Sequence, residues 1–199
     1  MLDLINPVIA AVRTDGEFAE AVKANVSAVF MLKADVLTLP ALARGKGVKK
    51  IYVHIDTAEG IGKDKKGLEY LKNCGADGII STKNHMIALA KELGLGTVQR
   101  FFIIDSASVA TALEIVDATR PDYAELMPGI LPKAVKSFVE KTRTKIIAGG
   151  LIETKKDVFV ILTHLFESFS SFCHPVFGQV LGSPSINVLK FNIDRKSVV

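Results

Sequence analysis

Cysteine is nearly missing from this chain. Its 199 residues hold only Cys74 and Cys173, too few for the disulfide framework of a small secreted domain or for a thiolate metal cluster. Two reduced thiols are expected. Long apolar runs are missing too: none approaches the roughly 18 residues that span a bilayer. The start, Met1-Leu2-Asp3-Leu4, carries an early acid and no basic leader segment. A cytoplasmic protein with no membrane partner is the expectation. No Gly-rich dinucleotide fingerprint, Walker loop or nucleophile elbow occurs, nor any ribonucleoprotein or KH motif. The sequence offers no compelling catalytic pair.

What is present is an ordinary globular composition, 49% apolar and 23% charged. The net charge of +4 permits a nucleic-acid partner without requiring one. Seven times, a short apolar run ends on Gly, polar or charged residues and gives way to a helix-like stretch. The runs are Val8 to Val12, Ala28 to Leu32, Ile51 to Ile55, Gly78 to Ser81, Thr97 to Ile104, Tyr123 to Leu126 and Ile146 to Ala148. Helices are expected from an Asp15 cap, over about Val36 to Arg44, from near Asp64, over Asn84 to Leu93, from Asp105 or Ser106 to Thr119, through Pro132 and Val139, and from Glu153. This alternation with short connections predicts an α/β fold, a TIM-type (β/α) barrel with parallel strands. At 199 residues one domain is expected, short of the roughly 250 of a complete eight-unit barrel.

In such a barrel the C-terminal strand ends converge on one mouth. The side chains nominated there are Arg13, His54, Asp56, Glu59, Lys83, Arg100, Glu125 and the pair Gly149-Gly150. The glycines let backbone amides approach an anion, and the loop after the seventh strand is a frequent phosphate site. His54 and Asp56, two apart on a strand, share a face and suit hydroxyl recognition, proton transfer or, with Glu59, a metal ion. Lys83 and Arg100 suit an anionic ligand. Glu125 suits a ligand hydroxyl or a pairing with Lys83, and Arg13 suits either task. Two basic clusters, Lys46, Lys49, Lys50 with Lys63, Lys65, Lys66, and Lys133, Lys136, Lys141, Arg143, Lys145, read as solvated faces or as an RNA footprint.

Several long motifs carry a family likeness: Asn6-Pro7-Val8-Ile9-Ala10-Ala11-Val12-Arg13, Val53-His54-Ile55-Asp56 with Glu59-Gly60, Asp77-Gly78-Ile79-Ile80-Ser81-Thr82-Lys83, Gln99-Arg100-Phe101-Phe102-Ile103-Ile104-Asp105-Ser106, Met127-Pro128-Gly129-Ile130-Leu131-Pro132-Lys133 and Ile147-Ala148-Gly149-Gly150-Leu151-Ile152. In this order, over residues 6 to about 158, the chain resembles the glycerol-3-phosphate-responsive antiterminators of glycerol uptake operons. The resemblance implies a barrel that senses glycerol 3-phosphate and, when loaded, binds leader messenger RNA so that transcription passes a terminator. It implies contact with the transcription machinery, no catalytic turnover and no cofactor beyond the sensed ligand. The Gly149-Gly150 amides would then hold phosphate, and His54, Asp56, Lys83, Arg100 and Glu125 would read charge and hydroxyls.

After about Val158 the texture changes, and the chain divides into a barrel over 1–158 and an atypical tail over 159–199. The family's eighth strand, of the type Gly-Ala-x-x-(Val/Ile)-Ser-Thr-Ser, has no counterpart; the chain instead reads His164-Leu165-Phe166-Glu167-Ser168-Phe169-Ser170-Ser171-Phe172-Cys173. The last six residues, Asp194-Arg195-Lys196-Ser197-Val198-Val199, are those that a widely used sequencing adapter encodes in one frame. A frameshifted or artefactual tail is therefore expected, with the eighth βα unit missing or replaced. The edges of the first and seventh strands would lie open unless the tail covers them. Two other readings compete: a phosphosugar isomerase or phosphodiesterase on the same barrel using His54, Asp56 and Glu125, and a truncated, non-functional family member.

Overall fold

The computed structural model describes residues 8–152, 157 and 189–193. Seven short strands are parallel and neighbour one another in chain order: β1 Val8–Val12, β2 Ala28–Met31, β3 Lys50–His54, β4 Gly78–Ser81, β5 Gly96–Phe102, β6 Tyr123–Met127 and β7 Lys145–Ala148. Six helices alternate with them: α1 Asp15–Lys23, α2 Leu39–Arg44, α3 Lys65–Asn73, α4 Asn84–Glu92, α5 Ser106–Thr119 and α6 Pro132–Lys141. An eighth strand, β8 Leu189–Ile193, closes the barrel. It pairs antiparallel with both β1 (Val8 with Phe191) and β7 (Ile147 with Asn192). Part of the segment set apart as a tail therefore covers the edges that would otherwise lie open, but it runs against the direction of a family eighth strand. The boundary at residue 158, the seventh helix apart from Asp157, Cys173 and the last six residues lie outside the described residues.

The helix starts follow from local chemistry. Thr14, rather than the expected Asp15, caps α1: its hydroxyl accepts from the Glu17 N–H while Glu17 reaches back, a capping box. Asp64 and Asp105 cap α3 and α5 through the Gly67 and Ser108 amides. The second helix begins at Leu39, later than expected. The preceding residues link two loops instead: Asp35 bridges Glu59 and its carboxylate takes the Leu37 N–H at 2.7 Å.

Strand alternation sorts the apolar residues into two layers. Val8, Ala10, Val12, Val29, Met31, Ile51, Val53, Ile79 and Leu126 face the helices. Ile9, Ala11, Ala28, Phe30, Tyr52, Ile80, Val98, Tyr123 and Ile147 fill the barrel. Tyr52 lies over Gly78 and Gly96, where any Cβ would strike its ring, and packs at 5.5 Å and 50° against Phe30. Burial pushes the Tyr52 phenol up. This plug floors the barrel, and the next inward positions toward the mouth are polar: His54 two residues after Tyr52, Arg100 after Val98, Glu125 after Tyr123.

Candidate functional site at the barrel mouth

Arg100 and Glu125 are register partners on β5 and β6. Arg100 Nε donates to Glu125 Oε2 at 2.8 Å, with side-chain exposures of 7% and 0%. Glu125 thus pairs with Arg100 and not with Lys83, as one sequence reading had it. The Arg100 Nη2 group is buried and has no hydrogen-bond partner among the described residues. A buried donor left so costs about 1–3 kcal/mol, which an acceptor supplied by a ligand would recover.

His54 and Asp56 converge, but not as alternate residues of one strand. Strand β3 ends at His54, and Ile55–Thr57 form a 3-10 turn. The turn carries the carboxylate toward the end of β4, where Asp56 accepts from the Ser81 hydroxyl at 2.6 Å, the Thr82 N–H at 2.7 Å and the Thr82 hydroxyl at 2.8 Å. Burial alone would raise the Asp56 carboxyl. The bonds from Ser81 and Thr82, with the His54 charge, outweigh it and hold the carboxyl below its ordinary value. His54 Nε2 lies 3.7 Å from Asp56 Oδ2.

The other ring nitrogen is set by Thr57, which the sequence reading passed over. Thr57 Oγ1 lies 2.6 Å from the Leu32 carbonyl and 2.8 Å from His54 Nδ1. A hydroxyl has one proton and a carbonyl only accepts, so that proton goes to Leu32 and His54 Nδ1 must donate to Thr57. With Nδ1 donating, Nε2 is the ring nitrogen that faces the Asp56 carboxylate. A Thr three residues after a strand-end His was the available signal.

The remaining nominees lie around this centre. Glu59 reaches away from His54 and Asp56 and pairs with Lys33 at 3.1 Å on the surface. Lys83 is the exposed N-cap residue of α4, a helix without a side-chain cap. Arg13 is exposed, its N–H given to Glu17 at 2.6 Å. The Gly149 N–H donates to the Leu126 carbonyl at 3.0 Å, so that amide belongs to the ladder. Gly150 at φ 77° and Leu151 at φ 57° turn the chain away from β7, and Gly129 donates to the Gly149 carbonyl at 2.6 Å. Because β8 runs antiparallel, its C-terminal end lies at the floor.

The basic clusters separate clearly. Lys46 is paired with Asp77 at 2.6 Å and Lys50 with the same carboxylate at 3.7 Å. Lys49 donates to the Ala24 and Val26 carbonyls at 2.9 Å each, Lys63 to Ala58 and Ile61, and Lys66 pairs with Glu69 at 2.8 Å. Lys133, Lys136, Lys141 and Arg143 are exposed.

With the geometry in place, comparison identifies the class. The family model described as glycerol-3-phosphate responsive antiterminator matches residues 8–172. The chain belongs to that family. It is 33% identical over 155 residues to the uncharacterized protein YgcP of Escherichia coli, covering 76% of this chain and 81% of the relative. The crystal structure of the glycerol uptake operon antiterminator regulatory protein from Listeria monocytogenes is 31% identical with a TM-score of 0.73, over 78% of this chain and 86% of the other. A glycerol uptake operon antiterminator-related protein from Thermotoga maritima is 32% identical with a TM-score of 0.69, over 79% and 90%. Structures described as aldolases, 12% and 11% identical with TM-scores of 0.65 and 0.62, share the fold alone. Among the described residues no helix is long and apolar enough to cross a membrane.

Proposed function

We propose that the chain is a cytoplasmic sensor of glycerol 3-phosphate that, when loaded, binds leader messenger RNA of glycerol-utilisation operons and lets transcription pass a terminator. The observation that carries the ligand reading is the buried Arg100 Nη2, a donor without an acceptor beneath the mouth of a barrel in a glycerol-3-phosphate responsive family. Glu125 neutralises Arg100, so the pair offers a fixed donor without net charge, suited to a hydroxyl or to one phosphate oxygen. The charge of the phosphate is met by Lys83 and the uncapped amides of α4, with the Gly150 turn and Arg13 at the rim. Asp56 accepts from the glycerol hydroxyls, and His54 Nε2 hydrogen-bonds beside it. Each acts by recognition; a Schiff-base aldolase reaction needs a desolvated lysine, whereas Lys83 is exposed. No cofactor or metal enters this scheme, and the rest of the transcription machinery acts downstream of RNA capture.

Isothermal titration of the full chain with glycerol 3-phosphate, against glycerol and inorganic phosphate, tests the ligand step. Saturable binding that prefers glycerol 3-phosphate and is lost in Arg100→Met supports it. Equal, weak heats from all three by folded protein would refute it. Product formation from glycerophosphodiesters or triose phosphates, abolished by Asp56→Asn, would favour an enzyme instead.

A further inference from the structure

We infer that the RNA-contacting surface is the β5–β7 side of the barrel mouth, with Phe102 as a base-stacking platform and Lys133 and Lys136 as phosphate contacts. This rests on the RNA reading above and says where on the molecule it happens. Phe102 is on the inward face of β5, two residues beyond Arg100 and in register with Met127, so it overhangs the Arg100–Glu125 pair. It is 58% exposed, an unusual state for a phenylalanine that ends a buried strand. Ile104, Leu131 and Leu151 are exposed on the loops after β5, β6 and β7; the Ile103 N–H to Met127 carbonyl bond joins the first of these to the end of β6, and the Gly129–Gly149 bond joins the second to the third. An apolar cluster rimmed by polar residues marks an interaction site.

Charge selects the occupant. Of the first basic cluster, Lys46 is committed to Asp77, Lys66 to Glu69, and Lys49 and Lys63 to backbone carbonyls; the exposed Lys65 opens α3, away from the loops after β5 to β7. Lys133 and Lys136, in the first turns of α6, are exposed, and no acid occupies that first turn. Cations there oppose the helix dipole and cost stability. A polyanion passing over the mouth meets them beside Phe102, and single-stranded RNA supplies both phosphates and flat bases. The same loops line the proposed ligand site, so a ligand ordering them alters the RNA platform, which is how two sites become coupled.

The test uses the full chain loaded with glycerol 3-phosphate to enrich RNA from a random 40-nucleotide pool. The enriched RNA is then titrated against variants across a salt series. Phe102→Ala and Lys133→Ala/Lys136→Ala should each weaken binding at least about fivefold, and Phe102→Tyr should restore it. The lysine pair should also flatten the log–log salt slope by about 1.4, as two single-strand phosphate contacts do, and leave glycerol 3-phosphate affinity unchanged. Lys141→Ala/Arg143→Ala, at the other end of α6, should do neither. Enriched RNA that ignores Phe102, Lys133 and Lys136, or that depends on Lys141 and Arg143 instead, overturns this surface while leaving RNA binding intact. A pool from which nothing is enriched removes the RNA reading itself, and with it a docking role for nucleic acid at this mouth.

Discussion

Replacing Glu125 by Ala strands a guanidinium inside the barrel. Arg100 is 7% exposed, and its Nε bond to Glu125, at 2.8 Å, is its one ion pair among the described residues. Removing one partner of a buried pair costs about 3–5 kcal/mol, because the surviving charge is left without compensation. That is a large share of the roughly 5–15 kcal/mol that holds a domain folded. For a chain of this size it corresponds to a fall in Tm on the order of 10 °C. Urea unfolding at constant m measures it. The double variant Arg100→Met/Glu125→Leu removes both charges together and should return to within about 1 kcal/mol of wild type, yet bind no glycerol 3-phosphate. The pair would then be a recognition device kept at no gain in stability. A Glu125→Ala loss under about 1 kcal/mol would refute the reasoning, since it is the expectation for a solvated surface pair.

Asp56 supplies a pH signature. Its carboxyl is held below the ordinary value in the fold, so its stabilising bonds are fully present above the unfolded pKa near 3.9 and are lost as pH falls through that value toward the folded one. Wild type should lose stability more steeply than Asp56→Asn between about pH 5 and pH 3, and parallel urea-midpoint curves would contradict this. A Cβ at Gly129 would sit 2.5 Å from Gly149 N, so Gly129→Ala should cost about 1–3 kcal/mol and weaken ligand binding by displacing the β7 turn; unchanged urea midpoints and titration curves would tell against it. Thr57→Val should shift the His54 imidazole 15N resonances by releasing Nδ1, with Thr57→Ser restoring them; resonances indifferent to Val would mean that Thr57 does not set the tautomer.

The seven parallel strands were legible because each is a short, doubly buried run with little polar interruption, and because turn residues and caps such as Asp64 and Asp105 mark the intervals. The mouth residues were legible by position, since strand ends converge. What escaped is what depends on contacts between segments distant in sequence. The Arg100–Glu125 pairing needs the β5–β6 register, and the Asp56 bonds need the 3-10 turn that breaks the expected strand at His54. The later start of α2 needs Glu59 to draw Asp35 into a bridge. Thr57 carries no motif, and its role appears only when Leu32 is brought beside it. The antiparallel β8 has no sequence rhythm of its own; residues 189–193 take the eighth position by pairing with the two open edges.

On the proposed function, glycerol 3-phosphate changes what this chain does to RNA. Filter retention of an RNA selected on the loaded full chain, with and without glycerol 3-phosphate at constant salt, measures it most directly. Retention should rise with ligand and follow the same saturation curve as the calorimetric titration. Retention identical in both conditions, by protein that binds the ligand, would contradict it.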